Sequence, residues 1–574
     1  MFVFPFLVAT LLDVMQLSSS PDNSTKSDKD SLQEEIPTVF NGNLPNSYSG
    51  NDSDTGSIHT SQSHIDRTLS RRLSGVEDLY EEALKCTDPL PTMGGGKPYP
   101  PMLPDRDPYA VAWDEPEDEE YPLNWPLHKK ISACLSSVVA TFAVVVGSAF
   151  FAESAYPLME LYHVGWTVAV LGVSLFIFGF ASGPVVWGPL SELYGRKPIL
   201  MMSVFGYMCF CFAVGSAQDI QTVMICRFFA GFVGAAPLVV APAAVADVFS
   251  AKARGKATTY FAMVIFGGPM LGPILGAFTV KNPHLGWRWT SYLCGIAAAV
   301  SLIAIWLTFE ETHHGIILAR RAEILRRRTG NWGIHAPHET VSLSIKEICE
   351  RNITRPLLML VTEPILFLVT LYNSFIYGLL YLFLTAVPMI FTRYHFAQAV
   401  DLLPYLAMLI GCLTGGVISV FMNRRYVTTM EKNDGKGIPE ERLPPMMVGS
   451  VLFPIGMFWL SWTGDFPDKI HWIVPTLGLV PIGMGLTLIF LPCLNYIVDC
   501  YLLFAASALA GNAFLRSAFG AAFPLFARQM FDRMGIRWAG TVLGCGALIL
   551  LPVPFLFYKF GKKLRQKSKW TFDL

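Results

Sequence analysis

Three charged side chains stand in or beside apolar stretches that are long enough to cross a membrane. Arg227 and Arg516 lie inside such stretches, and Glu153 lies at the end of another. An arginine inside a membrane span costs about 2.5–3.5 kcal/mol on insertion scales, so it is expected to face a cavity or a partner. A guanidinium in such a place also favours the charged form of a nearby carboxyl group, which controls proton binding. We therefore expect Arg227 and Glu153 to handle protons. An interface position is the alternative for both residues.

A turn with glycine at both ends and charges of opposite sign separates two of the apolar runs. The segment 188–198 reads GPLSELYGRKP. Such a turn can hold two helices in one arrangement and release them in another, whereas a plain positively charged anchor is the alternative. The candidate gate residues are Gly188, Glu192, Gly195, Arg196 and Lys197.

A further apolar run contains prolines and glycines at helical spacing. The segment 267–276 reads GGPMLGPILG. Two prolines four residues apart remove two backbone donors and bend the helix, and the glycines let a neighbouring helix approach closely. A packing kink without a transport role shares the same geometry. The residues concerned are Gly268, Pro269, Gly272, Pro273 and Gly276.

Aromatic and charged residues in the second half of the chain are candidates for a substrate cavity. They are Glu363, Tyr377, Tyr381 and Arg516. Tyrosines at helical spacing also occur as ordinary core packing, and an interface position is the alternative for Glu363. The depth of Arg516 within its apolar run argues against an interface position for this residue.

The composition places these residues in a membrane protein. The chain has 574 residues, of which 52% are hydrophobic and 15% are charged, whereas soluble proteins carry about 25% charged residues. The 43 basic and 44 acidic residues give no basic stripe of the kind that binds nucleic acid. The eleven cysteines form no CxxC or Cys/His cluster, so we expect buried reduced thiols and no metal site.

Apolar runs of about twenty residues predict twelve helical spans, six on each side of a charged segment. The predicted spans 1 to 12 are 131–152, 167–187, 198–216, 223–243, 258–280, 290–309, 361–386, 402–422, 447–462, 472–491, 502–526 and 538–557.

The predicted fold is an all-α membrane protein of two six-helix bundles with a disordered cytoplasmic N-terminal tail. The two-half division rests on the span count, because no residue-level repeat is apparent. The apolar segment 1–12 is too short to span a bilayer and is expected to be a non-cleaved part of the tail. In that tail, Ser74 follows two arginines and resembles a kinase site, with a chance match as the alternative. The predicted regions are the tail 1–127, the first bundle 128–309, the middle loop 310–356, the second bundle 357–558 and a basic tail 559–574.

Lys and Arg in the loops predict the orientation, since they collect on the cytoplasmic side. Most of them fall in 129–130, 196–197, 252–256, 320–355, 424–442 and 559–569. The opposite loops hold Lys281, Arg288, Arg393, Lys469, Arg528, Arg533 and Arg537. Both termini and the middle loop are therefore predicted to be cytoplasmic, in a multi-pass protein of the plasma membrane.

Three of these segments resemble motifs of the major facilitator superfamily. The segment 188–198 resembles its loop signature G-x-L-x-D/E-x-x-G-R-K/R, with Glu192 in place of the commoner aspartate. The string from Arg227 to Gly231 resembles its span-4 motif R-x-x-x-G, whose arginine is linked to proton transfer. The segment 267–276 resembles the antiporter motif G-P-x-x-G of drug:proton antiporters. The resemblance implies a gate latch formed by Glu192 and Arg196, and export rather than import.

Further strings narrow the resemblance to the fungal twelve-span drug:proton antiporter group. The likeness extends over about 122–569, and the branch contains polyamine-type and multidrug exporters and pumps for secondary metabolites. The strings that carry it are 122–126, 175–184, 286–289, 363–381, 495–499, 505–507, 516–524 and 561–563.

The sequence thus predicts a proton-coupled efflux transporter of amphiphilic small molecules such as drugs, toxins or fungal secondary metabolites. An enzyme and a cofactor are not expected, and without a P-loop the inferred energy source is a proton gradient. The expected partners are the lipid bilayer, the small-molecule substrate and protons, with no nucleic acid. The alternatives are a polyamine exporter, which needs carboxylates, a nutrient importer, which the segment 267–276 disfavours, and a membrane receptor.

Both ends of the chain are predicted to lie in the cytosol. A protease added to intact cells should therefore leave a C-terminal epitope tag uncut, and should cleave it after permeabilisation. A tag inserted beside Lys469, in the loop between spans 9 and 10, is the matched control, and the protease should cleave it on intact cells. Cleavage of the C-terminal tag on intact cells would contradict the predicted orientation.

Overall fold

The computed structural model describes residues 109–114, 118–249, 251–340, 350–396, 399–432, 438–501, 504–566, 568 and 570. Within these residues the chain is helical, and its β-type pairing is confined to an isolated bridge between Ala110 and His335. The predicted all-α fold is confirmed. Ser74 and the rest of the predicted tail up to residue 108 lie outside the described residues.

Eleven helices in the described part of the chain are long and apolar enough to cross a membrane. The first ten correspond one by one to predicted spans 1 to 10. Span 1 continues beyond its α-helix through a 3₁₀ turn, Phe151–Ser154, into the helix Ala155–Tyr162. Spans 1 to 10 are the helices Leu127–Phe150, Trp166–Leu193, Arg196–Ser216, Ile220–Val248, Ala251–Val280, Arg288–Thr308, Pro364–Phe391, Tyr405–Lys432, Pro444–Thr463 and Ile473–Tyr501.

The eleventh helix, Ala505–Leu550, contains both span 11 and span 12. Its 46 residues would extend about 69 Å at 1.5 Å per residue, more than twice the ~30 Å of a hydrocarbon core. Gly535 interrupts it with φ 76° and ψ 163°, a conformation that glycine adopts without the steric penalty of a Cβ atom. The two arms are therefore separate spans, in agreement with the predicted total of twelve. The helix Pro552–Arg565 follows the second arm.

The twelve spans form two bundles with the same internal arrangement. In the first half span 1 packs on span 5, span 2 on span 4, and span 3 on span 4; in the second half span 7 packs on span 11, span 8 on span 10, and span 9 on span 10. The halves meet where span 2 packs along span 11 and span 5 along span 8. An even number of spans places both described ends of the chain on one face, which we call the inner face in line with the predicted orientation.

Glycines bring span 5 close to span 1. A Cβ atom added to Gly272 would lie 2.8 Å from the backbone nitrogen of Phe150, and one added to Gly276 would lie 2.6 Å from its carbonyl oxygen. Any side chain at these two positions would therefore push the helices apart. Two prolines, Pro269 and Pro273, lie within span 5.

The last part of the predicted tail packs on the middle loop at the inner face. Arg321, on the loop helix His314–Thr329, donates from Nη1 to Oδ2 of Asp118 at 2.7 Å and from Nη2 to Oδ1 at 2.8 Å. This bidentate bond from Arg321 is the main reason that the pKa of Asp118 is lowered to about 2. Trp113 stacks on the same guanidinium at 5.3 Å. Residues 109–114 and 118–127 are thus ordered by partners about 200 positions away, which local composition does not show.

Candidate functional site

The loop between spans 2 and 3 holds Arg196 in a buried polar cluster at the inner face. Gly195 has φ 99°, and this backbone turn lets span 3 begin directly at Arg196. The Arg196 side chain is 8% exposed. Its Nη1 donates to the Ser191 hydroxyl at 2.7 Å, and its Nε donates to Oδ2 of Asp247 at 3.3 Å. Asp247 lies near the end of span 4, so Arg196 ties spans 2, 3 and 4 together.

A second carboxylate, Glu311, caps the first turn of span 3. Its Oε1 accepts the backbone N–H of Arg196 at 2.8 Å, and its Oε2 accepts that of Lys197 at 3.1 Å. Helix N-termini carry unpaired N–H groups and a partial positive charge, so a carboxylate there is stabilising. Glu311 fits because Gly195 has no side chain to occupy the same space. Span 6 is thereby joined to the same cluster.

The predicted latch pair is not formed in this structure. Glu192 is exposed, and within the described residues Arg196 pairs with Asp247 instead. Gly188 lies half-buried in the last turns of span 2, and the Lys197 ammonium reaches the carbonyl of Trp306 at 3.5 Å. Asp247 and Glu311 were not predicted. The only sequence signal for them is the presence of acids at the inner ends of spans 4 and 6.

The second half carries a matching cluster between spans 8 and 9. Arg442, just before span 9, donates from Nε to Oδ2 of Asp499 at 2.9 Å and lies over the Tyr426 ring at 3.4 Å. Asp499 occupies the inner end of span 10, as Asp247 does in span 4. Nearby, Arg565 and Glu440 form a buried ion pair of 2.9 Å. Each half thus has its own clamp at the inner face.

Arg227 lies in the core of the first half and is 4% exposed. Its Nε donates to the carbonyl of Gly172 at 3.0 Å, Nη1 to that of Gly147 at 3.3 Å, and Nη2 to that of Ser148 at 3.4 Å. The guanidinium also lies between the rings of Phe151 and Phe176, at 4.4 and 4.2 Å. Within the described residues its hydrogen bonds go to backbone carbonyls and none goes to a carboxylate.

Glu153 is not paired with Arg227 among the described residues. It lines a cavity of about 260 Å³ towards the outer face, together with Lys281 and Asp401. Lys281 follows span 5 and Asp401 precedes span 8, and their side chains form an ion pair of 3.2 Å between the two halves. A Cβ atom on Gly276 would lie 3.3 Å from Cγ of Glu153. The antiporter motif therefore packs directly against the predicted proton-binding residue.

The predicted cavity residues Tyr377, Tyr381 and Arg516 come together in the middle of the molecule. The Arg516 guanidinium lies 4.8 Å from the centre of the Tyr377 ring and 5.0 Å from that of Phe490, on span 10. Tyr377 and Tyr381 contact each other with ring centres 5.2 Å apart. The Tyr381 hydroxyl is hydrogen bonded to Ser148 of span 1 at 3.0 Å. This central site is thus built from both halves.

The fourth predicted cavity residue, Glu363, lies elsewhere. It precedes span 7 at the inner face, is 3% exposed, and accepts a bond from the Tyr501 hydroxyl at 3.4 Å. Fourteen helical residues separate it from Tyr377, which corresponds to about 21 Å along the axis. The structure does not bring Glu363 to the central site.

Known proteins resemble this chain over most of its length. Residues 137–511 match the Major Facilitator Superfamily. The chain is 60% identical over 515 residues to the "Major facilitator superfamily multidrug transporter FLU1" of Candida albicans, covering 90% of this chain and 84% of that protein. It is 48% identical over 512 residues to the "Multidrug transporter TPO1_2" of Candida glabrata, covering 88% of each.

Solved structures share the fold at low sequence identity. The human organic anion transporter MFSD10 gives a TM-score of 0.54 at 15% identity, over 74% of this chain and 99% of that one. The proton:xylose symporter XylE gives 0.54 at 16% identity, over 76% and 96%. At such identities the likeness concerns the fold alone.

Removing the acid of the Arg196 clamp should impair transport. Asp247→Asn leaves a buried guanidinium without its charge partner, which costs about 3–5 kcal/mol, so we expect vesicle transport to fall by about tenfold or more. Glu192→Ala should lower it less, because Glu192 is exposed and unpaired with Arg196 here. The measurement is substrate uptake into inside-out vesicles, corrected for the amount of protein in the membrane.

The control for the clamp is Glu323→Gln, which breaks the exposed pair of Glu323 and Arg327 on the loop helix. An exposed pair of this kind contributes about 0.5 kcal/mol, so transport should be unaffected. Asp247→Asn protein that is present in the membrane and transports at the wild-type rate would exclude a gating role for the clamp.

Proposed function

Because this chain belongs to the Major Facilitator Superfamily, we propose that it is a proton-coupled exporter of amphiphilic small molecules such as drugs, toxins or fungal secondary metabolites. The observation that carries the proposal is the central site, where Arg516, Tyr377 and Tyr381 meet Ser148 of the other half. An apolar, aromatic-lined site with few polar groups suits amphiphilic cargo. The names of the fungal relatives, both multidrug transporters, support the same cargo class.

Two features support this function over its alternatives. A polyamine exporter needs carboxylates at its binding site, and in the described residues the charged group stacked on the central aromatic rings is the guanidinium of Arg516. The importer alternative is disfavoured by the antiporter motif, whose Gly276 packs on Glu153. Both arguments favour export of compounds that are not polycations.

Glu153 is the proposed proton carrier. Its carboxyl group lines the outer cavity, where it can take up a proton from the outside. The ion pair of Lys281 and Asp401 lies in the same cavity and bridges the halves. A change in the charge of Glu153 alters the electrostatic balance of that pair, since unscreened charges interact strongly in a low dielectric. Protonation is thereby coupled to the contact that holds the outer face together.

Arg227 acts as a positioning residue in this proposal. The carbonyls of Gly147 and Ser148, which it binds, lie in the turn where span 1 changes from an α-helix to the 3₁₀ turn Phe151–Ser154. Glu153 is part of that 3₁₀ turn. Arg227 therefore fixes the backbone that carries Glu153, and movement of span 4 changes the surroundings of the carboxyl group.

Alternating access then consists of exchanging contacts at the two faces. At the outer face, the pair of Lys281 and Asp401 and the contact of Thr167 with Gln529 at 3.0 Å bridge the halves. At the inner face, the clamps of Arg196 and Arg442 hold the ends of the spans within each half. Opening outward requires the bridging contacts to break while the clamps stay closed.

The cellular setting follows from the same proposal. The protein is a multi-pass membrane protein, and export of toxic compounds from the cell requires it to lie in the plasma membrane with both termini in the cytosol. Phosphorylation at Ser74 by a basophilic kinase is a proposal from the two preceding arginines.

Replacing the proposed proton carrier should uncouple transport. Glu153→Gln cannot bind or release the proton, so gradient-driven accumulation of a fluorescent drug in inside-out vesicles should fall by about tenfold or more. Arg227→Ala should do the same, and Arg227→Lys should also be impaired, because an ammonium cannot donate to three carbonyls in the planar geometry of guanidinium. The lumen is acidified for the measurement, and the gradient is then collapsed with a protonophore.

Glu160→Gln is the matched control, since Glu160 is an exposed acid at the same end of span 1 and its replacement should have no effect. Wild-type accumulation that persists after the gradient has collapsed would disprove proton coupling. If Glu153→Gln kept full coupling to the gradient while the Arg227 variants lost it, the proton carrier would be another residue.

A further inference from the structure

Arg516 is placed where a charge cannot be left without a partner. It lies eleven residues into span 11, about 16 Å from the inner end of that helix and near the middle of a ~30 Å hydrocarbon core. One turn further on, Gly520 contacts Tyr377 and Ile177 of span 2. Arg516 shares this helix face, which is turned towards the other half and not towards lipid. The residue is half-buried.

The guanidinium contacts two aromatic rings but has no hydrogen-bond acceptor in the described residues. The ring centres of Tyr377 and Phe490 lie 4.8 and 5.0 Å from the guanidinium and 6.4 Å from each other, so both rings lie on one side of it. Its Nε is buried and has no hydrogen-bond acceptor in the described residues. The described residues also give the guanidinium no ion pair. Arg227 shows the contrast, since three carbonyls satisfy that guanidinium.

A buried donor without an acceptor costs free energy and calls for an explanation. The missing partner must reach the Nε edge of the guanidinium, because this buried donor has no acceptor in the described residues. A carboxylate has this geometry and accepts two parallel N–H bonds from one arginine. Contact with two rings also restricts the motion of the guanidinium, so less entropy is lost when a carboxylate binds.

We propose that Arg516 binds a carboxylate on the cargo, and that the preferred cargo is therefore an aromatic organic acid. The aromatic part of such a molecule would lie against Tyr377, Tyr381 and Phe490, and its carboxylate would lie at the free edge of Arg516. This assignment rests on the proposed export function and specifies its substrate class.

The charges around the central site agree with anionic cargo. Arg227 donates to the carbonyl of Ser148, and the hydroxyl of Ser148 is bonded to Tyr381. Both arginines therefore adjoin one group of residues, and in the described chain neither is paired with an aspartate or glutamate. Two positive charges in a low dielectric attract an anion and oppose a cation.

The test uses three dansyl probes that share one aromatic group and differ in charge: dansylglycine, dansylglycinamide and dansylcadaverine. Binding to the full-length purified protein in nanodiscs is measured from dansyl fluorescence. The wild type should bind the acid about tenfold to a hundredfold more tightly than the amide, as expected for charge-assisted hydrogen bonds. Arg516→Gln should remove this preference without weakening amide binding, and Arg516→Lys should keep part of it.

Arg533→Gln is the matched control, because Arg533 is an exposed arginine on the same helix arm and its replacement should leave the preference unchanged. Amide binding by Arg516→Gln shows that the variant is folded. Equal loss of all three probes would give Arg516 a purely structural role and overturn the assignment. The assignment would also be overturned if the wild type bound the amide or the cation as tightly as the acid. It would be overturned as well if Arg516→Gln kept the full preference for the acid.

Uptake of dansylglycine into inside-out proteoliposomes, with the membrane potential clamped at zero and the lumen acidified, separates this assignment from the export function. Wild-type protein that binds the acid selectively but does not accumulate it would disprove export while leaving the anion site in place. If the wild type accumulates dansylglycine in response to the gradient and Arg516→Gln does not, the result supports both the anion site and the export function.

Discussion

Three backbone carbonyls accept the hydrogen bonds that water would accept from Arg227 outside the membrane. The packing of much of the first half depends on these three bonds. A guanidinium in the membrane core needs hydrogen-bond acceptors, and helix carbonyls can supply them because each has a second lone pair beyond the one that the helix uses. Span 1 supplies two at the turn where it changes to a 3₁₀ conformation, and span 2 supplies the third. The charge therefore fixes the packing of spans 1, 2 and 4. It also fixes Glu153, whose 3₁₀ turn begins at this point and lies against the glycines of span 5.

The two halves hold the inner ends of their helices with the same type of charge pair. Each needs the inner ends of its helices held by contacts that can be released. The first half uses Arg196 with Asp247, and Glu311 at the start of span 3. The second half places Arg442 and Asp499 at the equivalent positions. The repeat is therefore visible in the helix arrangement and in these two pairs, although no residue-level repeat is apparent along the sequence.

Much of the architecture was predictable from the sequence, because a bilayer leaves few choices. A span must be helical and about twenty apolar residues long, so runs of that length gave all twelve spans. Gly535 shows the limit of this reading, since the apolar runs indicated two spans there but not the single interrupted helix that contains them. Local motifs also located Arg196, Arg227 and the glycines of span 5, because short strings determine turns and close helix contacts.

Partners could not be predicted in the same way, because they come from distant parts of the chain. Only the tertiary structure paired Arg196 with Asp247 instead of Glu192, set Glu153 beside Lys281 and not Arg227, and left Glu363 apart from the central site. Sequence determined which residues carry charge inside the membrane and at what depth, since helical periodicity and span length fix both. Tertiary structure decided which charges are satisfied and which remain open to cargo, since that depends on how six helices of one half are rotated against six of the other.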